Sequence, residues 1–246
     1  MDLDNYKLLN ERSSYNWYNV SRMILIKKLI KRLKIGFENP LDVGCNVGQN
    51  SFLLKELSRK NKVVGIDFME EAVKICKEKG IECYKADIEK KETLPRGKFD
   101  FILASDILEH TEDDDNAVRN LFSLLDKNGY LFIVVPVFGF LWGDIDYSSH
   151  HKRRYTKNLI KKLLEKDSLK IIYENYCNFF AFLPDIFFTY YQRLTYKEGK
   201  KVSIGTGPKF LNSFFLLIAK LEITLMKFIK YPFGVEAVII AQKSFS

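Results

Sequence analysis

Three carboxylates and two glycines are spaced as a nucleoside-holding unit would need them. Asp42, Gly44 and Gly48 fall in the stretch 41–48, which reads as a buried strand running into a tight glycine turn, with a helix following over about 50–60. Nineteen residues past Gly48, a second apolar strand (63–66) ends in Asp67, and a third (82–86) ends in Asp87. Glycine lets the backbone turn sharply and approach a ligand closely, and an acid at a strand end accepts hydrogen bonds from ribose hydroxyls. A second reactive group lies downstream. The three histidines, His110, His150 and His151, fall in predicted loops after the fourth and fifth strands, where ligands collect in a parallel sheet. Imidazole is the usual general base near neutral pH. Arg153 and Arg154 follow, and their planar forks suit a phosphate or carboxylate.

The loop does not have the G-x-G-x-x-G spacing that seats a pyrophosphate on a helix N-terminus, since Gln49 stands at the last glycine position. No Gly-Lys-Ser/Thr follows, which excludes a P-loop. The spacing D-x-G-x-x-x-G resembles motif I of the class I S-adenosylmethionine (SAM) methyltransferases, with Asn46 replacing the middle glycine. Asn tolerates a left-handed backbone better than most residues. The resemblance continues in order over roughly residues 40 to 136, and it implies a role for each matching position. Asp42, Gly44, Cys45, Asn46 and Gly48 would form the cofactor loop. Asp67 would take the ribose hydroxyls with Phe68 beside it, and Asp87 and Ile88 would contact the adenine. Ser105, in the strand and loop 99–106, would lie beneath the methionine part. It further implies a Rossmann-like α/β sheet with helices on both faces and SAM as the cofactor.

Residues 135–156 resemble a SAM methyltransferase subgroup associated with cell-surface glycan and lipid-linked sugar pathways. The subgroup pattern is V-P-x-(F/Y)-x-x-L-W-x-x-H-D-x-x-x-G-H-x-R-R-Y. Trp142, Asp146, His151, Arg153, Arg154 and Tyr155 match it, while Ile145 and His150 stand where it has His and Gly. The subgroup's N-terminal aromatic-Trp-aromatic…Arg element is similar to Tyr15-Asn16-Trp17-Tyr18…Arg22. This resemblance implies that Trp17, Trp142, Asp146, Arg153, Arg154 and Tyr155 bind the acceptor, with His151 as the base and His110 second. Plainer readings stand beside these. His110 also reads as a helix-entry residue before an N-cap at Thr111, with Glu112 to Asp114 in the first turn. The two arginines also read as salt-bridge partners of Asp144 and Asp146, and any one of the aromatics as core.

The chain has 246 residues, is 47% hydrophobic and carries a net charge of +8, which fits one α/β domain. The charge admits nucleic acid, an anionic membrane or an acidic substrate. No aromatic-basic strand motif or zinc module is present, and no N-P-P-Y type sequence for gripping a flipped base, so nucleic acid is not expected as a partner. Part of the charge lies on an amphipathic helix over 21–34. The four cysteines, Cys45, Cys76, Cys83 and Cys177, lack pairing or metal-like spacing and read as reduced thiols. No metal is expected. The start, Met1-Asp2-Leu3-Asp4, does not read as a signal peptide.

A helix over 156–166 and a strand over 169–176 continue the fold, and 235–241 reads as the last strand. Between them lies an aromatic-rich insertion, 177–231, with an apolar segment at 179–188 and a helix over 210–229. Its uncharged run is far shorter than the roughly 20 residues that span a bilayer. A wide apolar face with basic residues suits a helix lying in a membrane interface, and equally a lid or dimer face. The expected organisation is one methyltransferase domain with an N-terminal helical segment (1–36), a SAM-binding core (37–176), the insertion and a final strand and tail (232–246). The expected activity is O-methylation of a sugar or lipid-linked glycan by a cytoplasmic enzyme, peripheral on the inner face of the membrane. The alternatives are a quinone-like or polyprenyl lipid acceptor, and a non-catalytic SAM-binding partner protein.

Overall fold

The computed structural model describes residues 16–166, 169–195 and 209–244. Tyr15 and residues 196–208 of the insertion lie outside the described residues. The chain begins with helix α1 (Trp17–Arg32), then strand β1 (Pro40–Val43), α2 (Gln49–Leu57), β2 (Val64–Asp67), α3 (Glu70–Glu78) and β3 (Glu82–Lys85). It continues through β4 (Phe99–Ser105), α4 (Asp114–Leu124), β5 (Leu125–Pro136), the short α5 (Asp144–Ser148), α6 (Lys157–Glu165) and β6 (Leu169–Cys177). The insertion helices α7 (Phe179–Leu194) and α8 (Lys209–Leu225) precede the last strand, β7 (Glu236–Lys243).

The strands form one seven-stranded sheet in the order β3-β2-β1-β4-β5-β7-β6. The first five are parallel, and β7 runs antiparallel between β5 and β6. The chain order reverses between β1 and β4, so the ends of those strands open a crevice for a ligand. β4 reads Phe-Asp-Phe-Ile-Leu-Ala-Ser and is buried along nearly its whole length, as a central parallel strand covered on both faces must be. Leu41, Phe101, Ile102, Phe132 and Ile239 are among the core residues with no exposed surface. This is the expected Rossmann-like α/β methyltransferase fold, with the helical insertion before the last strand.

Several boundaries differ from the sequence expectation. α1 begins at Trp17, not Ser21, because the Asn16 side chain accepts the Tyr18 N–H at 2.9 Å and caps the helix. α4 is capped by Asp113, whose carboxylate accepts the Asn116 N–H at 2.9 Å. Thr111 instead turns its hydroxyl back to the Leu108 carbonyl, closing a 3₁₀ turn over Leu108–His110. The second insertion helix stops at Leu225, where the Arg32 guanidinium takes the carbonyls of Met226 and Lys227 at 2.7 and 3.0 Å. The aromatic segment is helical well beyond its expected end, through Leu194, with Pro184 inside it.

Candidate active site

A cavity of about 730 Å³ opens at the C-terminal ends of β1, β2, β3 and β4. The turn after β1 forms its floor. Gly44, Asn46 and Gly48 all take left-handed backbone, with φ of 71°, 48° and 89°. Asn46 therefore keeps the turn that a glycine would otherwise supply. A Cβ at Gly44 would lie 1.9 Å from Cδ1 of Ile107, itself a cavity residue, so any side chain there must displace Ile107. Asp67 faces this loop at the end of β2. Its carboxylate accepts the N–H of Asn46 and the N–H of Met69, each at 2.9 Å, which locks the loop to β2. A carboxylate has about four acceptor positions, so ribose hydroxyls can still be taken. Burial raises the pKa of Asp67, against the pull of those two N–H bonds.

The adenine side is built by Asp87 and Ile88. The Asp87 carboxylate accepts the Glu89 N–H at 3.0 Å, while Asn120 on α4 donates to the Ile88 carbonyl at 2.8 Å. Phe68, 63% exposed, offers a free ring at the rim. Gly44, Cys45, Asn46, Asp67, Phe68, Asp87, Ile88 and Ser105 all line the cavity, whereas Asp42 and Gly48 do not. Asp42 is buried behind the loop and accepts the Ser51 hydroxyl at 2.5 Å, tying β1 to α2. Burial pushes its pKa up to about 7. Gly48 shapes the turn from behind, where a Cβ would lie 2.7 Å from Ile81 Cδ1. The Cys45 thiol turns away from the cavity toward Cys83 and Cys76, with Sγ separations of 3.1 and 3.6 Å. Backbone turn, strand-end acid and cavity volume together fit SAM.

The wall opposite the loop is a buried charge network that joins both ends of the chain. Arg22 on α1 donates to Ser105 Oγ at 2.9 Å and pairs with Asp106 at 3.1 Å and with Glu236 at the head of β7. Tyr18 adds its hydroxyl to Glu236, and Asn178 donates to the same carboxylate at 2.6 Å. Burial, with Asp106 nearby, lifts Glu236 to about 7 even though Arg22 pulls the other way. The sequence reading gave Tyr18, Asp106 and Glu236 no role of their own. The available signal was a carboxylate in the otherwise apolar strand Glu-Ala-Val-Ile-Ile-Ala.

The expected acceptor residues divide into two groups. His110 and His150 line the cavity; His151, Trp17, Trp142, Asp146, Arg153, Arg154 and Tyr155 do not. Asp146 is fully buried, and internal partners engage both of its oxygens. It accepts Gly143 N–H at 2.8 Å, meets His151 Nδ1 at 2.8 Å, and takes Arg154 through Nε and Nη2 at 2.8 and 2.9 Å. Burial disfavours its charge, but the bonds from His151 and Arg154 win and hold it at about 2. Arg153 pairs with Asp114 at 2.9 Å and caps the carbonyls of Thr111 and Glu112. The buried Tyr155 hydroxyl reaches Asp114 Oδ2 at 2.9 Å and the Leu108 carbonyl at 3.0 Å. Arg153 and Tyr155 thus clamp the loop that carries His110. Trp142 packs edge-on to Tyr147, and Trp17 packs on Tyr18 and on Phe215 of α8.

The His110 and His151 rings meet edge to face, with centroids 4.7 Å apart. His110 is accessible from the cavity, yet its packed surroundings and His151 bring its pKa down to about 4, so it is neutral at pH 7. Glu109 next to it is wholly buried, and burial, with Asp106 nearby, raises its pKa well above the ordinary range.

Residues 41–133 match the family model described as a methyltransferase domain. Among curated proteins, the chain is 33% identical over 111 residues to the ubiquinone biosynthesis O-methyltransferase of Pelagibacter ubique (strain HTCC1062), covering 43% of either chain. It is 22% identical over 199 residues to the methyltransferase-type protein 235L of Invertebrate iridescent virus 6, covering 80% of this chain and 69% of that one. Its fold is similar to that of the N-methyltransferase NodS from Bradyrhizobium japonicum WM9, solved with S-adenosyl-L-homocysteine (SAH). That match has a TM-score of 0.54 and 15% identity, over 92% of this chain and 87% of that one. Residues 41–133 form a methyltransferase domain, and the cavity at its strand ends fits SAM as the cofactor.

Proposed function

We propose that the protein methylates a hydroxyl oxygen of a sugar or lipid-linked glycan presented at a membrane surface. The observation that supports a lipid-borne acceptor is the outer face of the insertion. On α8, Phe210, Phe214, Leu217 and Leu221 recur at helical spacing and are exposed, and on α7 so are Phe180, Leu183, Phe187 and Leu194. Two adjacent apolar stripes of this size mark an interaction surface. No helix among the described residues is long and apolar enough to cross a membrane. With a net charge of +8, the stripes fit an interface-lying attachment to anionic lipid. Trp17, beside the cavity residue Tyr18, packs on Phe215 of α8 and joins this surface to the site.

The chemistry chiefly requires alignment. SAM carries an electrophilic methyl on sulfonium, so an acceptor oxygen forms its bond to the methyl carbon as the sulfur–carbon bond breaks, leaving SAH. Positioning alone can supply roughly 7–11 kcal/mol at the limit. The glycine loop and Asp67 hold the donor, Arg22 and Asp106 fix the far wall, and His110 faces the acceptor side of the cavity with the His151 ring packed against it. A second reading, methylation of a quinone-like or polyprenyl lipid, draws on the 33% identity with the ubiquinone biosynthesis O-methyltransferase. The test is transfer of labelled methyl from SAM to a membrane lipid extract. Acid hydrolysis releasing a labelled methyl sugar supports the glycan reading. Label in an intact quinone-like lipid selects the second, and label confined to added protein or nucleic acid contradicts both.

A further inference from the structure

Glu109 has no exposed surface, and neither of its carboxylate oxygens has a hydrogen-bond partner among the described residues. A buried polar group left this way is costly, and each such case calls for a missing partner. The missing partner has two further ligands waiting for it. A nitrogen of His110, a nitrogen of His151 and a carboxylate oxygen of Glu109 all lie within 4.8 Å of one another. Each ring also has a bonding partner outside the cluster. His151 Nδ1 is engaged by the Asp146 carboxylate, which Arg154 and Gly143 fix in turn, and His110 makes a hydrogen bond to the His150 backbone. Imidazoles oriented by a carboxylate or a carbonyl on one nitrogen are how proteins present the other nitrogen to a metal. The charge around Glu109 favours a cation as well, since Asp106 and Glu236 act on it against the single guanidinium of Arg22. His110 is the most exposed of the three and opens the cluster to the cavity.

We propose that Glu109, His110 and His151 bind a divalent transition-metal cation of the zinc type at the wall of the methyl-transfer cavity. Two imidazoles and one carboxylate form a ligand set for such an ion, with the remaining position left open. Binding of the ion stands on this geometry alone, and its use rests on the methyltransferase reading. An ion held there would polarise an acceptor hydroxyl reaching it from the His110 side of the cavity, and that hydroxyl's proton would leave to solvent as the oxygen takes the methyl. The two histidines would then serve as ligands and not as proton acceptors.

Metal-free full-length protein titrated with Zn²⁺ in a calorimeter, and with Co²⁺ by absorption, tests this. One equivalent should bind, with no thiolate charge-transfer band. Glu109→Gln and His151→Ala should each weaken Zn²⁺ binding by more than roughly 100-fold, and Asp146→Asn, which removes only the orienting partner, by roughly 10–100-fold. SAH affinity measured on the same preparations should not change, which shows that the fold persists. If His151→Ala loses both affinities, the isosteric Glu109→Gln decides. The proposal is overturned if the wild type binds no Zn²⁺ or if binding survives Glu109→Gln and His151→Ala. It is equally overturned if the Co²⁺ spectrum shows thiolate ligation that Cys83→Ser abolishes, since the buried Cys45, Cys76 and Cys83 thiols are then the site. Zn²⁺ binding without SAH binding would leave the metal site standing and remove the methyltransferase reading.

Discussion

Arg22 on the first helix and Glu236 on the last strand form a buried ion pair 214 residues apart in sequence, at the wall of the cavity. Its two halves are not equivalent. Arg22 is shared by Asp106 and Glu236, while burial lifts Glu236 to about 7, so part of its charge is already lost near neutral pH. Arg22→Met therefore strands the buried Glu236, takes the partner of the part-exposed Asp106 as well, and should cost about 3–5 kcal/mol. Glu236→Gln keeps the Arg22–Asp106 pair and an oxygen for Arg22 and Tyr18 but sets its amide against the Asn178 amide, and should cost less, about 1–3 kcal/mol for the unpaired donor. Urea unfolding of both variants checks the asymmetry, and equal losses would contradict it.

The glycine turn makes a second asymmetry. Gly44 and Gly80 have similar left-handed φ, 71° and 75°, but a Cβ at Gly44 meets Ile107 at 1.9 Å while one at Gly80 meets nothing within 4 Å. Gly80→Ala should cost about 1–2 kcal/mol of backbone strain. Gly44→Ala adds about 1–3 kcal/mol of overpacking and should also weaken SAH binding. Thermal unfolding and SAH titration measure both; equal behaviour at the two glycines would show that Ile107 yields freely.

Asp42 gives a pH signature. Its pKa is raised to about 7 by burial, against the Ser51 hydrogen bond. From about pH 4 to about 7, the folded chain holds a proton there that the unfolded chain has released. The associated stability is therefore complete below about pH 4 and is lost as the pH rises through about 7. Asp42→Asn removes that dependence, so the variant's Tm should gain on the wild type between pH 5 and pH 8. A constant or shrinking difference would place an ionised carboxylate at Asp42 throughout.

The apolar stripe on α8 predicts where the protein goes. Wild type should sediment with anionic vesicles at low salt, and replacing Phe214, Leu217 and Leu221 with Ser should release it without changing SAH affinity. Failure of the wild type to sediment, together with a dimer that the same substitutions dissociate, would assign the stripe to a second copy of the chain.

The order of strands from Leu41 to Pro136 was readable because parallel strands are locally apolar and the glycine turn is encoded within eight residues. Asn46 was readable for the same reason, since its left-handed backbone is a local property. The clamp formed by Arg153, Arg154 and Tyr155 was open to two readings. Matching a pattern does not say which way a side chain faces, and Arg154 turns to the buried Asp146 rather than into the cavity. The Arg22–Glu236 pair was out of reach, because no local signal links a helix residue to a strand 214 residues away. Glu109 showed only as one more acid in the stretch Asp-Ile-Leu-Glu-His, and its burial depends on how that 3₁₀ turn packs.

The claim that the glycine loop and Asp67 hold the cofactor is tested most directly by calorimetric titration of SAH into the full chain. Wild type should bind one equivalent. Asp67→Ala should bind more weakly by about 1.5–3 kcal/mol, or roughly 10–150-fold, because the acceptor of the ribose hydroxyls is gone. Absence of SAH binding by the wild type, or tighter binding of NAD than of SAH, would contradict it.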